Sequence, residues 1–277
     1  MTGISRITRA FESGKSPLLI TCMVAGDPDY AGSVRIARVL ARAGADMLEV
    51  VMPFSDPVAD GPVIQEAGAR ALSAGMTTDR LFSLIREVRE HSAIPLLIMT
   101  YANIVIQRGV DRFYQDAARA GADGVVVADV PVEEAGPFCD AAREAGVDPI
   151  LFVSPDTSPE RLDFIISQGK GFIYLVAARG VTGVREEVAP ETLACLGNIK
   201  KRTKLPVVPG FGISTPEHIR AYTWAGADGV IVGSAIVGIV GEFREWPAEM
   251  DYALQKFVKE LKTASGHPDL EEVFVQP

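Results

Sequence analysis

Eight short apolar runs recur along the chain: PLLITCMV (17–24), DMLEVVM (46–52), PLLIMTY (95–101), GVVVAD (124–129), DPILFVS (148–154), FIYLVAA (172–178), PVVPGFGI (206–213) and GVIVGS (229–234). Each is nearly continuous in apolar residues rather than alternating, the pattern of strands covered on both faces, as in a parallel sheet under helices. Segments between the runs carry apolar residues at i, i+3, i+4 and i+7: Ile36, Val39, Leu40, Ala43; Val110, Phe113, Tyr114, Ala117; and Leu254, Phe257, Val258, Leu261. Each set makes one apolar stripe able to lie on a sheet. The tetrapeptide AGAD occurs at 43–46, 120–123 and 225–228, and AGVD at 145–148, each where a helical pattern ends and an apolar run begins. The glycine suits a left-handed helix terminus, and the aspartate suits a tight turn into the next strand.

Eight strand signals alternating with helices leave two architectures, a closed (β/α)8 barrel or an open doubly wound sheet. The open sheet, when it binds a dinucleotide, carries an early GxGxxG turn, and none is present. The glycine-rich turns instead follow the sixth, seventh and eighth runs, where barrels hold phosphate with loops and a short extra helix. No low-complexity stretch or long linker interrupts the series. The pattern therefore predicts an α/β fold, one (β/α)8 TIM barrel domain over 1–277 with extra short helices.

Composition narrows the function classes. The chain has 277 residues, is 48% hydrophobic, and carries a net charge of −9 with a pI near 5.0. This argues against nucleic acid or an anionic membrane surface as partner, since both select a basic face. The start, MTGISRITRAFESGKS, lacks the apolar stretch of a signal peptide, and no run approaches the ~18 apolar residues of a membrane span. Cys22, Cys139 and Cys195 are odd in number and far apart, which reads as free thiols in a reducing cytoplasm. His91, His218 and His267 show no zinc-ligand spacing, so no metal is expected.

The candidate chemistry begins in LEVVMPFSDPVADGP (48–62). Glu49 lies near the C-terminal end of the second strand, where barrel enzymes keep their catalytic groups. Partial desolvation there raises a carboxyl pKa toward neutrality, which suits a group that gives and takes a proton. Asp60 sits in the following loop, where a wetter setting would keep it ionised; two acids in unlike environments make a plausible acid/base pair. Other readings stand beside this one. Glu49 also fits a buried structural group paired with Lys or Arg, and Asp56 before Pro57 and Asp60 before Gly61-Pro62 also fit turn or cap roles.

The wording of the chain is more specific than its spacing. PFSDPVADGPVIQ (53–65), with Glu49 four residues ahead, resembles the signature of the tryptophan synthase alpha subunit family. AGDP (25–28), YAN (101–103), VADVPVEE (127–134), GVTG (180–183), GFGIS (210–214) and GSAIV (233–237) match further segments in the same order, from about residue 5 to about residue 263. The resemblance implies a (β/α)8 enzyme that cleaves indole-3-glycerol phosphate to indole and glyceraldehyde 3-phosphate without metal or organic cofactor. It implies a beta-subunit partner in an alpha2-beta2 assembly, with pyridoxal phosphate confined to that partner. Glu49 and Asp60 fall on the family's two catalytic acids, Glu49 as general acid/base and Asp60 stabilising the indole N–H.

By the same resemblance Gly183, Gly212, Gly233 and Ser234 hold the substrate phosphate. GSAIVGIVG (233–241) can open a short helix whose N-terminus attracts an anion; singly, each glycine reads as a turn. Ile64, Met99, Tyr101, Val126, Tyr174 and Phe211 match positions that enclose the indole ring or lie near the acids, and without the resemblance read as barrel core. Thr182 falls in ARGVTGVREEV (178–188), which matches a lid loop that closes on the Asp60 loop and otherwise reads as plain surface loop. The chain departs from the family pattern in four places. Val51 stands for a usual glycine, Ala178 takes a usual arginine position with Arg179 one place later, Cys22 replaces a typically aromatic pocket residue, and 266–277 extends past the usual end. A stand-alone indole-glycerol-phosphate lyase, another phosphosugar barrel, and a non-catalytic activator of a beta subunit are the competing readings.

Overall fold

The apolar runs form eight parallel strands in the computed structural model, which describes residues 4–14, 17–176 and 188–266. They are β1 (Leu18–Val24), β2 (Met47–Val51), β3 (Leu96–Thr100), β4 (Gly124–Val127), β5 (Asp148–Val153), β6 (Ile173–Val176), β7 (Val207–Gly210) and β8 (Gly229–Val232). The ladder order is β7-β6-β5-β4-β3-β2-β1-β8. The remaining seam is bridged at its lower edge, where Asp228 N donates to Val207 O at 3.1 Å and brings β8 against β7. The result is the (β/α)8 barrel expected from the alternation of runs and stripes.

Helices α1 (Arg6–Glu12), α2 (Tyr30–Arg42), α3 (Pro62–Ser73), α4 (Thr78–His91), α5 (Ala102–Arg108) and α6 (Val110–Ala120) accompany the first half of the chain. Helices α7 (Gly136–Ala145), α8 (Pro159–Gln168), α9 (Pro190–Lys200), α10 (Pro216–Trp224), α11 (Ser234–Glu242) and α12 (Pro247–Ala264) accompany the second. The apolar stripes face inward: Ile36, Val39 and Leu40 of α2, Phe113, Tyr114 and Ala117 of α6, and Leu254, Val258 and Leu261 of α12 are all buried. Helix α1 plugs the N-terminal mouth of the barrel. Its Ile7 is fully buried and abuts Gly124 so closely that a Cβ there would lie 2.9 Å from Ile7 Cδ1 and 2.8 Å from Leu97 Cδ2.

The glycines of the AGAD and AGVD repeats adopt the left-handed conformation their position implies, with φ of 109° at Gly44, 97° at Gly121, 75° at Gly146 and 87° at Gly226. Their aspartates do something other than shape a turn. Asp46, ahead of β2, accepts a hydrogen bond from Leu19 N of β1 at 2.7 Å. Asp123, ahead of β4, accepts from Leu96 N of β3 at 2.9 Å, and Asp228, ahead of β8, from Val207 N of β7 at 2.7 Å. Each carboxylate thus grips the first turnless stretch of the preceding strand. Asp148 breaks the series by binding Ser5 Oγ, at the N-cap of α1, at 2.6 Å. Each also faces a cation: Lys262 at Asp46, Arg89 and Arg6 at Asp123, Lys170 at Asp148 and Lys200 at Asp228. The turn role expected from sequence is therefore corrected to a clamp between neighbouring strands.

Most strands end earlier than the apolar runs that signal them. Tyr101 becomes the N-cap of α5, Phe211 and Gly212 turn away from β7, and Gly233 and Ser234 open α11. The trimmed residues sit at the C-terminal ends of the strands and build the mouth of the barrel.

Candidate active site

Glu49 is the middle residue of the second apolar run and the third residue of β2, flanked in register by Cys22 of β1 and Leu97 of β3. Ladder partners in a parallel sheet project to the same face, so these three share one side of the barrel wall. Glu49 is 1% exposed, and its Oε1 completes no hydrogen bond. No Lys or Arg lines the cavity around it, so the alternative of a salt-bridged structural glutamate does not hold among the described residues. Burial pushes its carboxyl pKa from 4.5 to about 7; the Cys22 thiol, as hydrogen-bond donor, holds it down, and the nearby Asp60 charge adds to the rise.

Asp60 lies across the same cavity. The wetter setting expected from its loop position is not what the fold provides, because Asp60 is 8% exposed and burial raises its pKa as well. The cause lies in its neighbours. Phe54 stacks on Tyr101 with ring centroids 5.1 Å apart, Ala59 N donates to Tyr101 Oη at 3.3 Å, and Gln65 Nε2 donates to Asp60 O at 2.8 Å. These contacts fold the loop inward. The Tyr101 hydroxyl bonds the Asp60 carboxyl group and works against the rise. Asp56, by contrast, is exposed, and its carbonyl accepts from Val58 N at 2.9 Å in a turn.

The same wall includes a helix N-terminus and a tight turn. Helix α11 opens at Gly233 with no side-chain cap, leaving its first N–H groups directed outward from the helix. Gly212 has φ 74°, and Phe211 beside it has φ 72°, the one non-glycine residue with positive φ among those described. A phenylalanine held there is strained, and its ring packs toward Tyr174 and Phe152, at centroid distances of 5.8 and 6.3 Å.

The cavity collects Glu49, Asp60, Ile64, Met99, Tyr174, Phe211, Gly212, Gly233 and Ser234 from the residues anticipated by sequence, and adds Cys22, Val51, Gly61 and Ile231. Cys22 and Val51 are visible beforehand only as departures from a pattern; Ile231 and Gly61 carry no signal beyond their place in a run and a turn. Tyr101 lies behind Asp60 rather than in the wall. Val126 is fully buried on β4 beside Met99. Thr182 and Gly183, with the lid segment, lie outside the described residues. The cavity opens to solvent and holds ≈ 40 Å³ among the described residues. Among the described residues no group of three or more His, Cys, Asp or Glu is placed to hold a metal ion, and no helix is long and apolar enough to cross a membrane.

Comparison with known proteins shows what the whole chain resembles. The family model described as tryptophan synthase alpha chain matches residues 9–266. The tryptophan synthase alpha chain of Methanoregula boonei is 48% identical over 262 residues, covering 95% of this chain and 99% of the relative; that of Arabidopsis thaliana is 40% identical over 262 residues, 95% of each. Among solved structures, tryptophan synthase subunit alpha from Legionella pneumophila superposes with a TM-score of 0.87 at 34% identity, covering 95% of this chain and 99% of that one. A chain of the Pyrococcus furiosus tryptophan synthase a2b2 complex superposes with a TM-score of 0.84 at 39% identity, covering 89% and 98%. An uncharged-partnered glutamate in the mouth of an eight-stranded barrel, with an aspartate and a helix N-terminus around it, thus sits in a chain that belongs to the tryptophan synthase alpha chain family.

Proposed function

We propose that the chain serves tryptophan biosynthesis by retro-aldol cleavage of indole-3-glycerol phosphate to indole and glyceraldehyde 3-phosphate, with Glu49 and Asp60 as the acting groups. The observation that carries this reading is a buried Glu49 carboxyl group, with no cation in its wall and a pKa of about 7, facing Asp60 across one cavity.

The bond from the indole ring to the glycerol chain breaks only after the ring carbon that bears the chain is protonated. Glu49, half protonated near neutrality, gives that proton. Positive charge then develops on the ring nitrogen, and the Asp60 carboxylate, accepting its N–H, stabilises the charge as it forms. As the carbon–carbon bond opens, its electron pair returns to the ring. The Glu49 carboxylate takes the proton from the hydroxyl on the departing carbon, which becomes the aldehyde. Glu49 is thereby restored, and no external acid, base or redox partner is required. Each role is worth on the order of 10²–10⁴ in rate. The phosphate would rest on the turn at Gly212 and the N–H groups of Gly233 and Ser234, with Gly183 as a further donor.

The chain itself would carry no organic cofactor in this reaction, pyridoxal phosphate belonging to a beta-chain partner. A partner on the barrel mouth is supported by two apolar side chains left exposed there, Val58 at 82% in the Asp60 loop and Ile106 at 59% on α5. The test is incubation of the purified chain with indole-3-glycerol phosphate, with and without a tryptophan synthase beta chain, followed by assay of indole. Indole release that rises when the beta chain is added is expected. A folded chain that binds the beta chain and releases no indole under either condition would make it an activator without turnover.

A further inference from the structure

Cys22 lines the cavity with chemistry that the reaction above leaves unused, and it is the ladder neighbour of Glu49. The two are ladder partners on β1 and β2, both line the cavity, and both are buried, at 4% and 1% exposure. A Cβ placed on Gly233 would lie 3.7 Å from Cys22 Sγ, so the thiol stands between the acid and the mouth of α11. Among the described residues the titratable groups that face Glu49 are Cys22 from β1, Asp60 from the loop after β2, and Tyr174 from β6, while β3 and β8 offer Met99 and Ile231 to the cavity. Asp60 is an acceptor when ionised, and Glu49 Oε1 completes no hydrogen bond.

We propose that Cys22 is a positioning residue for the proton-transfer step, its S–H pointing at the Glu49 carboxyl group and holding it oriented to the ring carbon. The proposal rests on the function assigned above. Burial and the neighbouring acids push the thiol pKa well up, so it remains a protonated donor at working pH. A donor favours the charged form of an acid, so Cys22 keeps Glu49 able to change state near neutrality instead of being locked as a neutral acid.

The test compares the parent with Cys22→Val, which fills the site without a donor, and Cys22→Ser, which keeps one, with Cys22→Ala in reserve should valine disturb folding. Two readouts are followed across pH. One is kcat/KM for indole release. The other, which needs no substrate, is the infrared stretch of the protonated Glu49 carboxyl group, identified by its loss in Glu49→Gln. In the valine variant the midpoint of both should rise by about half a pH unit or more, with kcat falling ~10-fold and KM little changed. Serine should bring the midpoint back to the parent value or below it. Coincident infrared midpoints in all three proteins would overturn the proposal, as would serine behaving like valine. Absence of indole release from the parent would instead strike at the assigned reaction and leave the infrared comparison standing.

Discussion

The two ends of the barrel use the same side chains to opposite purposes. At the N-terminal end, Asp46, Asp123, Asp148 and Asp228 each meet a cation, and three of them also accept a backbone N–H from the preceding strand. At the C-terminal end, among the described residues, Glu49 has no cation in its cavity wall and an oxygen without a hydrogen bond, and Asp60 is helped by the Tyr101 hydroxyl. Carboxylates whose charge is answered stiffen the sheet; a carboxyl group whose charge is not answered, as at Glu49, keeps a proton available near neutrality. The difference separates stability from chemistry along one axis, and it can be broken from either end.

The largest effect is expected at Glu49. Glu49→Gln should lower kcat by about 10³-fold while leaving KM within a few-fold and raising thermal stability, because a buried ionisable group becomes a neutral isostere. The pH dependence gives the sign. A folded-state pKa of about 7 lies above the unfolded value of 4.5, so the native state binds the Glu49 proton more tightly. This contribution is fully present below pH 4.5 and is lost as pH rises through 7, on the order of 3 kcal/mol in all. Chemical unfolding of parent and Glu49→Gln at pH 5 and pH 8 should show the parent losing stability relative to the variant. Parallel behaviour of the two would mean Glu49 is not the buried acid described. Over the same range kcat/KM should fall on the alkaline side with a midpoint near 7.

Asp123→Ala attacks the other end. It removes a nearly buried carboxylate that holds Arg89 at 2.5 Å, Arg6 at 2.9 Å and Leu96 N at 2.9 Å. Breaking a buried pair from one side is destabilising by about 3 kcal/mol, and the folded fraction should retain near-parent kcat. A large loss of kcat with unchanged unfolding would contradict the separation of roles.

This contrast was only half legible in the sequence. Strand positions, the left-handed glycines and Glu49 all follow from local pattern, since apolar continuity, φ preference and an acid in an apolar run are properties of neighbours along the chain. The roles of Asp46, Asp123 and Asp228 are not local. Their acceptors' partners, Leu19, Leu96 and Val207, are 27, 27 and 21 residues away, so a turn was the natural reading. The burial of Asp60 likewise depends on Tyr101, which folds against Phe54 and Ala59 from a different strand end. The positive φ of Phe211, which brings its ring to the cavity wall, is likewise encoded by no spacing.

Tyr101 offers a smaller test at the mouth. Tyr101→Phe removes the hydroxyl shared between Ala59 N and the Asp60 carboxyl group. Without that donor the Asp60 pKa rises further and its carboxyl group loses the bond that orients it. A ~10-fold fall in kcat/KM relative to the parent at the same pH is expected, and the ratio to the parent should narrow as pH rises. A fall independent of pH would assign Tyr101 to loop packing alone.

The smallest effect is expected at the most open of the clamps. Asp228 and Lys200 are each roughly a quarter to a third exposed, so water already screens their attraction. Asp228→Asn keeps an oxygen to accept from Val207 N and loses only the ion pair, whose worth at such exposure is about 0–1 kcal/mol. Asp228→Ala loses both, including the grip that closes β8 on β7, and should be destabilising by a further ~1 kcal/mol. Urea unfolding of the two variants therefore divides the clamp into its charge and its hydrogen bond. If asparagine is as harmful as alanine, charge dominates even at the solvent-facing rim. If it is nearly silent, the repeated aspartates act chiefly as backbone acceptors, and the cations matter most where, as at Asp123, the fold has shut water out.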